Sequence, residues 1–136
     1  MRFYFDENFP PSLPKGLYVF QNGRKSEDIE VFSTVEVFGR GAKDENIIPQ
    51  IAQQHGTLIT QDFNIHRTSK LNSLCQNNKI GIFFFRPPKG NNYQYWDLIR
   101  WAINQWKNIT DISKNEAKNR PFSYIIKPKS QKPEKL

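Results

Sequence analysis

The sequence predicts an α/β domain with a central, mainly parallel sheet of about four to five strands and helices on both faces. Short apolar runs, each stopped by a turn signal, alternate along the chain with one-faced helical patterns. The run Ile80 to Phe85 is apolar throughout, as a strand buried on both faces requires. The strongest helix, Tyr93 to Lys107, sets Trp96, Ile99, Ile103 and Trp106 at spacings of three and four, which reads as core packing rather than as a base-stacking platform.

Taken in order, Arg2 to Phe5 is an apolar-rich run that stops at Asp6-Glu7-Asn8 before a Pro-Pro pair, as a strand running into a loop does. Pro10, Pro11 and Pro14 leave room for only a brief helical turn before Leu17 to Phe20, so this stretch reads as a connector up to the Asn22-Gly23 turn. Ile29 to Phe38, rich in Val, Phe and Thr, reads as a second strand broken by Gly39-Arg40-Gly41. Asp44 to Gln54 carries Ile47, Ile48, Ile51 and Ala52 on one face and closes at Gly56. With Asp44 as N-cap, Pro49 falls in the second turn and predicts a later start or a bend. Thr57 to Thr60 is a third strand, ending in Gln61-Asp62. Ser69 to Asn77 is a helix, Ile80 to Phe85 a strand stopped by Arg86-Pro87-Pro88, Ser113 to Asn119 a further helix and Phe122 to Ile126 a last strand. Residues 1–126 therefore read as one domain, and the Lys- and Pro-rich residues 127–136 as a flexible tail.

A length of 136 residues suits a single domain with one core. No apolar run approaches the roughly 18 residues that cross a bilayer, and the charged opening MRFYFDEN lacks a signal-peptide layout. A cytoplasmic protein without a membrane partner is expected. The single cysteine, Cys75, cannot form an internal disulfide and reads as a small buried apolar residue. His55, His66 and Cys75 match no zinc-ligand spacing. With 20 Lys and Arg against 13 Asp and Glu, the formal charge is +7, which favours polyanionic partners. From Lys107 onward there are eight basic residues (Lys107, Lys114, Lys118, Arg120, Lys127, Lys129, Lys132, Lys135) and three acids (Asp111, Glu116, Glu134), so +5 of the +7 lies at this end. A basic end on a near-neutral body is compatible with binding a phosphate backbone, or with a solvated tail.

Functional groups of a parallel α/β sheet collect at the carboxyl ends of its strands, near the point where strand order reverses. Asp6 and Asp62 fall at such ends, and Asp44 begins the helix of a crossover that starts on the same edge. Each acid has an ordinary structural role open to it: Asp44 as an N-cap, Asp62 as a turn residue, Asp6 as a cap of the connector. Their joint placement predicts convergence, and converging carboxylates repel one another unless a hard divalent cation such as Mg²⁺ or Mn²⁺ is present. Such an ion would hold a phosphodiester oxygen and acidify a water, giving hydrolysis without a protein nucleophile. Around this edge, Asn8 would orient the water, with Thr60 and Glu45 supporting, while Arg40, Arg67 and Arg86 would clamp phosphate oxygens or remain solvated surface. His66 would transfer a proton or contact a base, or be an incidental loop histidine.

The opening FYFDENFPPSL and the segments GRGAKDENII and GTLITQDFNIHR resemble the three acidic motifs of the PIN-like family, especially its compact branch related to VapC-type toxins. The later IGIFFFRPP and RPFSYII resemble the same branch, so the likeness spans most of the chain up to about Ile126. The resemblance implies a Rossmann-like PIN fold, Mg²⁺- or Mn²⁺-dependent endonuclease activity on RNA and, in bacterial members, pairing with an antitoxin; self-association is left open. By position, Asp6 matches the first-strand acid, Asp44 the helix-start acid and Asp62 the acid after the following strand, which makes these three the expected catalytic and metal-holding residues. Many members add a fourth acid after the next strand, where this chain reads Phe85-Arg86-Pro87; Glu45 and Glu7 are the nearest substitutes, with Glu7 expected to point away from Asp6.

Two other readings compete. A phosphoacceptor receiver domain would use Asp6, Glu7 and Asp62, but Phe85-Arg86-Pro87 offers no hydroxyl where one is needed. A non-catalytic RNA-binding or antitoxin-binding module would keep the fold without turnover, and the absent fourth acid makes it the main rival.

Overall fold

The computed structural model describes residues 1–90 and 93–136. The chain runs β1 (Arg2–Phe5), α1 (Ser12–Asn22), a 3-10 turn (Lys25–Glu27), β2 (Glu30–Ser33), α2 (Thr34–Phe38), α3 (Asp44–Gln53), β3 (Thr57–Thr60), α4 (Asn64–Arg67) and α5 (Ser69–Asn77). It continues through β4 (Gly81–Phe85), α6 (Tyr95–Asn115), β5 (Phe122–Ile126) and β6 (Glu134–Lys135). All six strands form one sheet in the order β2-β1-β3-β4-β5-β6; the first five are parallel and β6 is antiparallel to β5. The chain steps outward from β1 to β2, then returns past β1 to β3, so winding reverses at β1 and the connecting helices fall on opposite faces.

Strand alternation sorts the core into two layers. Phe3, Phe5, Ile59, Phe83, Phe85, Phe122 and Ile126 face α1 and α6, where Leu13, Leu17, Leu98, Trp101, Trp106 and Ile109 meet them. Tyr4, Leu58, Ile82, Phe84 and Ile125 face the other way, against Ile47, Ile48 and Ile51 of α3, Ile65 of α4 and Cys75 of α5. Cys75 is buried, and burial pushes its thiol up to about 12. Gly81 is confined by the Phe122 ring: a Cβ there would stand 2.2 Å from it.

Five local expectations are corrected. The proline-rich connector is an 11-residue helix, because Pro11 is its N-cap and Pro14 sits in the first turn, where a backbone N–H has no intrahelical partner to lose. The strand expected over Ile29 to Phe38 ends at Ser33, and the rest is α2. Ser33, with Glu36 three residues on, is a helix-start signature that the β-branched composition masks. Lys43, not Asp44, is the N-cap of α3, which starts at Asp44 and continues through Pro49. The two C-terminal helices are a single 21-residue α6, opened by a capping box between Gln94 and Asp97. Its buried face is Leu98, Trp101, Ala102, Gln105, Trp106 and Ile109; of the expected stripe Trp106 is buried, Ile99 packs at the margin, and Trp96 and Ile103 are 64% and 43% exposed. Finally, the tail is not loose: Leu136 N donates to Ser123 O at 2.9 Å, and Glu134 and Lys135 pair with Ile125 and Tyr124. No helix among the described residues is long and apolar enough to cross a membrane.

Candidate active site

Phe5 is in register with Ile59, which brings the exits of β1 and β3 side by side at the reversal of strand order. Beyond Phe5 the chain leaves the sheet in a turn closed by Phe9 N donating to Asp6 O at 3.2 Å. Beyond Thr60 it leaves through Gln61 and Asp62 into α4. The third wall is the first turn of α3, brought to this edge by the short α2 and by a loop through Gly39 and Gly41, whose φ of 90° and 77° favour glycine.

Asp6, Glu7, Asp44, Glu45 and Asp62 line one cleft of about 290 Å³, together with Asn8, Thr34 and Lys43. The three predicted aspartates therefore share a cavity, and so do Glu45 and Asn8. Glu7 does too, contrary to expectation: strand alternation ends at Phe5, and Glu7 reaches across so that its Oε2 accepts from Gly41 N at 3.1 Å. Thr34 was not singled out in the sequence, and neither was Lys43, which brings one cation to a cleft lined by five acids.

Thr60 ties the two strand exits together. It is fully buried, and its hydroxyl donates to Asp6 Oδ2 while accepting from Asp62 N at 2.9 Å. Asp6 Oδ1 also accepts from Asn8 N at 3.1 Å. Despite these donors, desolvation pushes the Asp6 carboxyl up to about 6. Asp44 is raised as well, first by desolvation and then by the charges of Asp62, Glu7 and Glu45. Asp62 holds its own loop, with Oδ1 accepting from Asn64 N at 3.0 Å. The helix start favours the acids of α3, which occupy its first two positions.

The donor set suits a hard cation: oxygen ligands only, crowded acids, and carboxyls held above their ordinary values by burial and mutual repulsion. Among the described residues no three His, Cys, Asp or Glu side chains are gathered closely enough to form a metal-holding cluster. Mg²⁺-type sites rarely need one, since they use one or two carboxylates and leave other positions to water and phosphate.

The remaining expected residues lie outside this cleft. Arg40 is exposed between the two glycines. Arg67 and Arg86 place their guanidinium carbons 5.2 and 5.1 Å from the centre of the Phe63 ring, beside the β3 and β4 exits. His66 packs on Phe63 and Phe84, with Nδ1 buried and unpaired among the described residues. Thr60 belongs to the cleft's supporting structure, beneath the acids.

A doubly wound sheet that gathers acids at its switch point defines the class of this molecule. The chain belongs to the PIN-like domain family, whose model, described as a PIN like domain, matches residues 1–87 and so includes β1 to β4 and the whole acidic cleft. PIN-like domains have a nuclease-type fold. No curated protein and no solved structure matches the chain.

Proposed function

We propose that this protein is a metal-dependent endoribonuclease that hydrolyses RNA phosphodiesters with Asp6, Asp44 and Asp62 holding Mg²⁺ or Mn²⁺. The observation that carries the reading is that these three carboxylates line one cleft at the β1/β3 exit. The cation, when bound, supplies the charge that acidifies a water and offsets the charge building on phosphorus and the leaving oxygen. The protein's own contribution is position. Thr60 fixes Asp6 against the β3 exit, the turn after β1 presents Asn8 to the cleft, and Asp44 is held at the start of α3. Lys43 lies on the rim with its charge available to a phosphate. Arg67 and Arg86, braced on Phe63, would clamp the next phosphates, Arg40 would meet the strand from the α2–α3 loop, and His66 would contact a base.

The test is cleavage of labelled RNA with added Mn²⁺. Asp6→Asn and Asp62→Asn should each abolish metal-stimulated products while circular dichroism shows a folded chain. Undiminished cleavage in both variants would reject the assignment.

A second reading, a PIN-like module that binds RNA or an antitoxin without turnover, is favoured by one observation: β4 is followed by Arg86, so the fourth acid of many members is replaced by a cation. It predicts salt-sensitive RNA retention and no metal-dependent products. The resemblance to VapC-type toxins supports a toxin role with a cognate antitoxin as protein partner, and co-expression with a neighbouring open reading frame that relieves growth arrest would be its signature.

A further inference from the structure

The same sheet edge has a second cavity, two strands away from the acids. It measures about 770 Å³ and opens between the exits of β4 and β5, lined by Arg86, Pro88, Lys89, Tyr93, Lys127 and Lys129. No carboxylate lines it; the nearest compensation is Glu134, which pairs with Lys127 at 3.2 Å. Lys89 and Lys129 have no ion-pair partner among the described residues.

The backbone beside two of these lysines is held in place. The buried side chain of Gln105 donates from Nε2 to Ser130 O at 3.1 Å and to Gln131 O at 3.4 Å, and Asn108 Nδ2 donates to Gln131 O at 3.1 Å. β6 then closes the loop onto β5. A buried glutamine spent on two backbone carbonyls fixes the backbone next to Lys127 and Lys129, which keeps both exposed charges at this edge. Tyr93, set edge-on against Trp101 at 5.0 Å, adds an aromatic wall.

We propose that this groove binds the single-stranded RNA beside the cleaved bond, leading it from the acidic cleft past Phe63 and Arg86 toward β5. The proposal rests on the ribonuclease reading for what happens in the cleft, but the groove's own chemistry is separate from it. Two points favour a nucleic acid strand over an acidic protein segment. The cations follow the strand exits that begin at the acids, roughly 10 Å or two strand spacings away. Arg86 also belongs to both regions, stacking on Phe63 beside the β3 exit and lining the groove.

The experiment is fluorescence anisotropy with a labelled single-stranded RNA in EDTA, across a salt series, so that binding is read without cleavage. K89A/K129A should lose about tenfold in affinity, and the slope of log affinity against log salt should fall by about 1.4, or about 0.7 per lost contact. K25A/K114A, which removes the same charge near the opposite edge, should bind as the unaltered chain does. Equal binding by both double variants, or no affinity in the unaltered chain, overturns the groove. Poly-L-glutamate bound in preference to RNA, and lost in K89A/K129A, also overturns it by assigning an acidic protein partner. RNA retention that follows the prediction while Mn²⁺ yields no products would leave the groove standing and remove the nuclease reading.

Discussion

The exits of β1 and β3 and those of β4 and β5 lie on one edge of one sheet, yet they carry opposite charge. The first pair opens into a cleft lined by five carboxylates and a single lysine. The second opens into a groove lined by three lysines and an arginine. The first is built by side chains that end strands or start a helix, and burial holds two of its acids above their ordinary values. The second is built by a C-terminal loop pinned from α6. A parallel sheet thus supplies only the edge, and the segments leaving it decide what each stretch attracts.

The sharpest way to break this division is at Asp44. Asp44→Asn should lower metal-stimulated RNA cleavage on the order of a thousandfold, more than loss of an outer partner costs, while Glu45→Gln stays within about tenfold; comparable losses would place both acids in one role. Asp6→Asn tests the burial of charge in the cleft. The folded value of Asp6, about 6, lies above its ordinary 3.8, so its contribution to stability is fully present below about 3.8 and lost as pH rises through about 6. In EDTA at pH 7 the variant should therefore be more stable by up to about 3 kcal/mol in urea unfolding, and added Mn²⁺ should raise the melting temperature of the unaltered chain but not of the variant. Thr60→Val removes the hydroxyl shared by Asp6 and the Asp62 amide and should cost about 2 kcal/mol by the same measurement. The smallest effect is expected on the basic side: Gln105→Ala should cost about 1 kcal/mol and speed hydrogen exchange in residues 127–136.

Much of this edge was legible in the sequence because acids after apolar runs mark strand exits; Asp6 or Asp62 alone could have been a turn residue, and it was their joint placement with Asp44 that pointed to one cleft. Asp44 was legible in place but not in detail: Lys43 takes the cap, which leaves the carboxylate free to face the cleft. Glu7 was misread by extending strand alternation two residues past the end of β1 at Phe5. On α6, Trp96 and Ile103 fit helical spacing as well as Leu98 and Trp101 do, and spacing alone does not choose between overlapping stripes. The tail hid for a different reason. Lys-Pro composition predicts solvation, whereas the contacts that hold it, from Gln105 and Asn108, come from residues more than twenty positions earlier.

The antiparallel pairing of Glu134 and Lys135 also has a bearing on handling the protein. The sheet ends on β2 at one side and, at the other, on the two-residue β6, which covers Tyr124 and Ile125 of β5. A chain cut at residue 126 would replace that short border with the longer, aromatic- and isoleucine-rich Phe122–Ile126, and invite edge-to-edge self-association and precipitation.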